Sequence, residues 1–238
     1  MSEGLFNYSL QERGSVKYIS FIFILSISLG QWTTFQLDEL SNSSKKSKTI
    51  FRTAGFAATH NFPVAITEKN RIAIGLSTLK GISANGFLPM INGNINVSWN
   101  LSLRGRMAAY SAEEGTIQAY GWGLSLNPSK DKEISKWIIN LDSGKLNSND
   151  ALIVSSIQAS ATRQFNLNMF PVYVGFGLNI LNANPKSLLD KKYQGKKVIQ
   201  TNFINIGTKI SIYGLSVIPQ LWVGSQYSMV SVNIVNTF

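Results

Sequence analysis

The side chains able to do acid–base, nucleophilic or metal chemistry are few and widely spaced. His60 is the single histidine, and one imidazole is too few for a multi-histidine metal site. A hydrolase would need it to activate a serine, with a third group orienting the ring. No serine sits in a Gly-x-Ser-x-Gly turn, and neither a phosphate-binding loop nor a dinucleotide fingerprint occurs. Glu113 and Glu114 adjoin Gly115 and read as solvated turn acids, not as a general acid/base pair. Asp142, near the end of a strand, is open between a solvated acid and the partner of a cation, and Gly121 and Gly123 are expected to sit in a strand instead of a phosphate cradle. The chain is therefore expected to be non-catalytic, with no cofactor and no metal, and His60 to occupy a surface or rim position beside Asn61.

Charge carries more information than the chemistry-bearing groups. The 22 Lys and Arg outnumber the 12 Asp and Glu, giving a formal +10, which suits anionic lipids, anionic solutes or nucleic acid. The basic residues follow no nucleic-acid motif, so no nucleic-acid partner is expected. Two placements are specific. Arg104, Arg106 and Lys209 fall on the polar side of alternating segments, where they would line an interior. Lys186, Lys191, Lys192, Lys196 and Lys197 cluster in one connecting stretch.

The elements that must position these groups are strands. Ile95, Val97, Trp99, Leu101, Leu103 and Met107 alternate with Asn96, Ser98, Asn100, Ser102, Arg104 and Arg106, the period of two that places side chains on opposite faces. Val172, Val174, Phe176, Leu178 and Ile180 oppose Tyr173, Gly175, Gly177 and Asn179. Similar patterns run through 116–126 and 204–212, and weaker ones through 51–59, 69–78, 134–143, 151–163 and 215–223. With the last segment these make about ten strands. Pro219 argues for a strand end or a bulge, because it cannot donate to a ladder. The stretch 79–94 is long for a connection, and a short hairpin near Gly86 to Ile91 would raise the count to twelve.

The final segment names the class. Val230, Val232, Ile234 and the terminal Phe238 share one face, a layout that resembles the C-terminal assembly-signal strand of Gram-negative outer-membrane β-barrel proteins. At the other end Lys17 precedes the apolar run Tyr18 to Leu29, and Ser28-Leu29-Gly30 supplies small residues before a cut ahead of Gln31, the pattern of a secretory signal peptide. The expected organisation is a signal peptide over 1–30, a flexible N-terminal arm over 31–49, and the barrel over 50–238. The fold class expected is an all-β, antiparallel, up-and-down transmembrane barrel of about ten strands, with limits of eight and twelve. The resemblance implies outer-membrane lipid and the barrel-assembly machinery as partners, with the 182–198 loop lysines outside, near lipopolysaccharide phosphates.

Three function classes follow. The first is an outer-membrane barrel serving as a small pore or a surface-exposed structural or binding barrel, with a basic lumen that favours anions. The second is a soluble secreted β-sandwich or carbohydrate-binding module. The third is an outer-membrane lipid hydrolase that depends on His60.

Overall fold

The computed structural model describes residues 44–62, 71–82, 87–112, 115–128, 137–148, 152–167, 170–185, 197–225 and 227–238. The expected signal peptide, Glu113, Glu114 and the lysines at 186, 191, 192 and 196 lie outside these residues.

Eleven strand segments form one antiparallel sheet: β1 (Ile72–Gly81), β2 (Leu88–Asn96), β3 (Leu101–Ala112), β4 (Gly115–Leu126), β5 (Trp137–Ser148), β6 (Leu152–Leu167), β7 (Phe170–Pro185), β8 (Lys197–Thr208), β9 (Ile210–Ile212), β10 (Leu215–Gly224) and β11 (Tyr227–Thr237). Each pairs with its neighbour in sequence, except that β8 and β9 both pair with β10, and β11 pairs with β1 from Ala73↔Thr237 to Gly81↔Met229. That last pairing closes the sheet and leaves no edge. It excludes the sandwich, whose two sheets would remain separate.

The strand number is ten, because β8 and β9 are one stave. Gln220 pairs with Gly207 and Val217 with Ile210 in one continuous register along β10. The unpaired step between them lies opposite Ile218 and Pro219. Proline has no N–H to give, so Pro219 stands inside β10 and interrupts its partner instead of ending its own strand. Beyond β9, Tyr213 and Gly214 both have positive φ, 48° and 82°, the combination of a two-residue type I′ hairpin.

Two expected strands are corrected. Residues 51–59 belong to a helix, α1 (Ser44–Thr59), so the described part of the expected arm, 44–49, is helical and the first stave begins at Ile72. The long alternation 95–107 is two strands: Val97–Asn100 turn the chain from β2 into β3, with the Val97 and Ser98 amides both donating to Leu101 O. Turn residues continued the period of two, so the turn was invisible in it. The expected connection over 79–94 contains β2, and the count remains ten because one false strand is replaced by one missed strand.

The two faces of the wall differ in the opposite sense to a soluble protein. Outward positions carry exposed Ile74, Leu103, Trp122, Leu141, Ile157, Phe176 and Ile206, while Asn92, Asn94, Gln158, Asn179, Asn205 and Asn233 are buried inside. On β7 the outward apolar row Val172 to Ile180 runs about 26 Å along the strand at 3.3 Å per residue. With the tilt usual for such walls that spans about 20 Å, close to the apolar band of membrane barrels. Trp99, Trp137, Phe165, Leu167 and Phe238 bring this band down to the basal end, which also holds the C terminus. At the distal end the outward row turns polar, with Lys80, Gln118, Asn182, Asn184, Gln200 and Asn202.

Candidate functional site: a helix-filled lumen

The barrel interior is occupied by α1. Ile50, Phe51, Ala54, Phe56, Ala57 and Ala58 are all buried, with Thr53 and Thr59 buried among them, while Lys48 nearer the start of the helix is exposed. Its 16 residues span about 24 Å, enough to run through most of a membrane-sized barrel. Its direction follows from its contacts. At its midpoint, Lys197 at the distal end of β8 places Nζ 5.8 Å from the Phe51 ring centroid. Phe62, just beyond the helix, packs with Ala73, Ile218 and Val235 towards the basal end. The helix N terminus therefore opens distally and its C terminus points basally.

In the last turn, aromatic rings fix the helix to one wall. Phe56 meets Phe203 edge-on at 5.2 Å, stacks on Tyr227 at 5.4 Å and lies 6.2 Å from Trp222. Small residues take the opposite contact. A Cβ on Gly121 or Gly144 would collide with Ala58 O, and one on Gly55 would lie 2.6 Å from Leu181 Cδ2. These glycines let backbone approach backbone, so the room expected inside the barrel is filled by the helix.

At the helix C terminus the inward arginines find their partners. Arg104 Nη2 donates to both oxygens of Asp142 at 2.9 Å, and Arg106 Nη2 donates to Asp142 Oδ1 at 2.6 Å. Arg106 Nη1 also donates to His60 O, and Asn61 Nδ2 donates to Asp142 Oδ2 at 2.8 Å. Asp142 is 1 % exposed, Arg106 6 % and Arg104 8 %. Asp142 is the only acidic side chain among the described residues, and it sits between two cations. Cationic groups beside the final carbonyls of a helix also complement the negative end of its dipole. Immediately before His60, Thr59 Oγ1 donates to Gly55 O at 2.9 Å and accepts from Asn179 Nδ2 at 2.8 Å. Asn179 Oδ1 in turn accepts from Ser156 Oγ at 3.0 Å.

Arg104 and Arg106 thus face inward as their alternation implied, and Asp142 pairs with a cation. Lys209 is not with them: it is half-buried at the β8–β9 break, five staves away from β3. Lys197 turns towards Phe51 and is not a bare outer-loop cation. His60 is corrected most. It is 2 % exposed and its ring lies 5.8 Å from that of Trp222, because it follows a lumenal helix and not a surface strand. Asn61, Thr59, Gln158 and Asn179 were not singled out from the sequence. Gln158 and Asn179 show there only as inward polar positions, and nothing in the sequence marks their common partner.

The C-terminal row stands as expected: Val230, Val232, Ile234 and Phe238 face outward, and Phe238 exchanges both backbone hydrogen bonds with Ile72. With β11 paired to β1 and the apolar row outside, the wall meets the demand that hydrocarbon makes of a spanning sheet. The chain is a closed antiparallel β-barrel of ten strands with an apolar exterior, the fold class of outer-membrane barrels. No family model and no curated protein matches the sequence. Among solved structures it is similar to the N-terminal β-barrel domain of Pseudomonas aeruginosa OprF, at 13% identity and TM-score 0.39 over 71% of this chain and 98% of that one. It is also similar to the KdgM porin, at 8% identity and TM-score 0.38 over 70% and 99%. The translocator domain of the autotransporter NalP from Neisseria meningitidis gives 9% identity and TM-score 0.38 over 84% and 98%.

Proposed function

We propose that this protein is an outer-membrane barrel closed by its own N-terminal helix, a surface-facing anchor and not a standing open pore. The observation that carries this reading is the descent of α1 through the lumen, with Asn61 and His60 O tied to the Arg104–Asp142–Arg106 cluster on β3 and β5. The polar distal extension of the wall matches the outward end of such barrels, whose turns on the periplasmic side are short. In this orientation the N terminus of the helix at Ser44 opens to the outer side.

An anion-favouring lumen belongs to the same reading in a restricted form. With α1 seated, the arginines neutralise Asp142 and hold the helix. Withdrawal of α1 would uncover a wall bearing Arg104 and Arg106 against one carboxylate, a net positive ring. The test is single-channel recording in planar bilayers. The full chain is expected to be silent, and a variant lacking 44–62 to conduct with anion preference. Steady conductance by the full chain would defeat the plug, and cation preference by the deletion variant would defeat the basic lumen.

We read the barrel as non-catalytic. His60, on which the hydrolase alternative depends, is packed against Trp222 inside the barrel and is not at the lipid-facing surface. A His60→Ala chain that lost a measurable phospholipase activity would reverse this.

A further inference from the structure

Among the described strands Lys80 and Lys145 face outward towards the distal end, and Arg163 is the outward cation at the basal end. Arg163 faces outward on β6, in the row that continues with Phe165 and Leu167 to the basal end. Its cross-strand partners are Trp137, the first residue of β5, and Val174 on β7. The guanidinium carbon lies 5.5 Å from the Trp137 ring centroid and 5.1 Å from that of Phe165. Two rings therefore hold one planar cation at the level of the basal aromatic girdle.

We propose that Arg163 is a binding site for the phosphate of a phospholipid headgroup in the basal leaflet. The inference rests on the reading of the exterior as membrane-facing and adds a ligand class to it. An arginine beside hydrocarbon needs an anion. The only acid among the described residues, Asp142, is inside the barrel, so the described outer wall offers none. Aromatic contacts fix the guanidinium plane and favour a weakly hydrated cation. Its remaining N–H edge matches two phosphate oxygens. The next outward residue is Ala161, lower than its cross-strand neighbours Ile139 and Phe176. In this proposal the first part of an acyl chain lies over Ala161, between these two larger side chains. A free phosphate ion would make no use of that contact.

The test is native mass spectrometry of the full chain folded in detergent and titrated with dimyristoylphosphatidylglycerol. Wild type is compared with Arg163→Gln, Arg163→Lys and the basal control Arg71→Gln. One lipid is expected to be retained by wild type and by Arg71→Gln, and to bind about tenfold more weakly to Arg163→Gln, with Arg163→Lys between them because it lacks the fork. Equal lipid retention by Arg163→Gln overturns the site. Displacement of the lipid by millimolar inorganic phosphate overturns its assignment to a lipid. Folding of both chains into phosphatidylglycerol vesicles is followed by heat-dependent gel mobility. Failure of wild type there defeats the membrane reading itself, whereas normal folding with no Arg163 effect defeats only this inference.

Discussion

Replacing Asp142 by alanine should be among the most damaging single changes in the barrel. The carboxylate accepts two hydrogen bonds from Arg104 at 2.9 Å, one from Arg106 at 2.6 Å and one from Asn61 at 2.8 Å. Without it, two buried guanidinium groups face each other with no counter-charge, and Asn61 loses its acceptor. Removing one partner of a buried ion pair costs about 3–5 kcal/mol. Against a total stability of about 5–15 kcal/mol, that is a large share. Arg104 Nη2 still reaches Leu124 O at 3.3 Å, and Arg106 Nη2 still reaches Trp122 O at 3.2 Å, which places the expectation at the lower end, about 3 kcal/mol. Urea unfolding in lipid vesicles, followed by tryptophan fluorescence, reads the difference. The companion variant Arg104→Met, Arg106→Met, Asp142→Leu removes all three charges together and should recover much of the loss. A change below about 0.5 kcal/mol in Asp142→Ala, or a triple variant weaker than the single one, would refute the claim that an uncompensated buried charge is what matters.

Two further perturbations test the wall and the helix seat. Phe176→Arg places a charge in the middle of the outward row of β7, where Phe176 is 58 % exposed. It should cost about 2–4 kcal/mol in vesicle-based unfolding, whereas Leu101→Arg, at the basal start of β3, should cost about 0–1 kcal/mol as an interfacial site. Ser102→Lys starts from an inward, half-buried hydroxyl that bonds Asn96 and should preserve lipid folding. Comparable loss for Phe176→Arg and Ser102→Lys would contradict the assigned faces. Gly144→Val puts a branched side chain against Ala58 O and should displace α1 while leaving the strands paired, seen as new protease cleavage within 44–62 with unchanged heat-dependent gel mobility. Continued protection of that segment would show that the glycine is not part of the helix seat.

The class of fold was legible in the sequence because outward and inward residues alternate with period two wherever a wall separates an apolar solvent from a polar interior. The rows through Val172–Ile180 and Val230–Ile234 stand as read, and so do the inward Arg104 and Arg106. The alternation depends only on local geometry and on which solvent each face meets, and both are written residue by residue. The turn at Val97–Asn100 escaped because its side chains kept the same period, and β2 escaped with it. The use of the interior was decided only by tertiary structure. The half of α1 enclosed by the wall, Ile50–Thr59, mixes Phe and Ala with the buried Thr53 and Thr59, and a window that short does not separate a helix from a strand by period alone. The partners of Asp142 lie on β3 and on the segment just after α1, 38, 36 and 81 positions away in the chain. Only closure of the wall around the helix brings them within hydrogen-bond reach, and that converts two lumenal arginines from a lining into a latch.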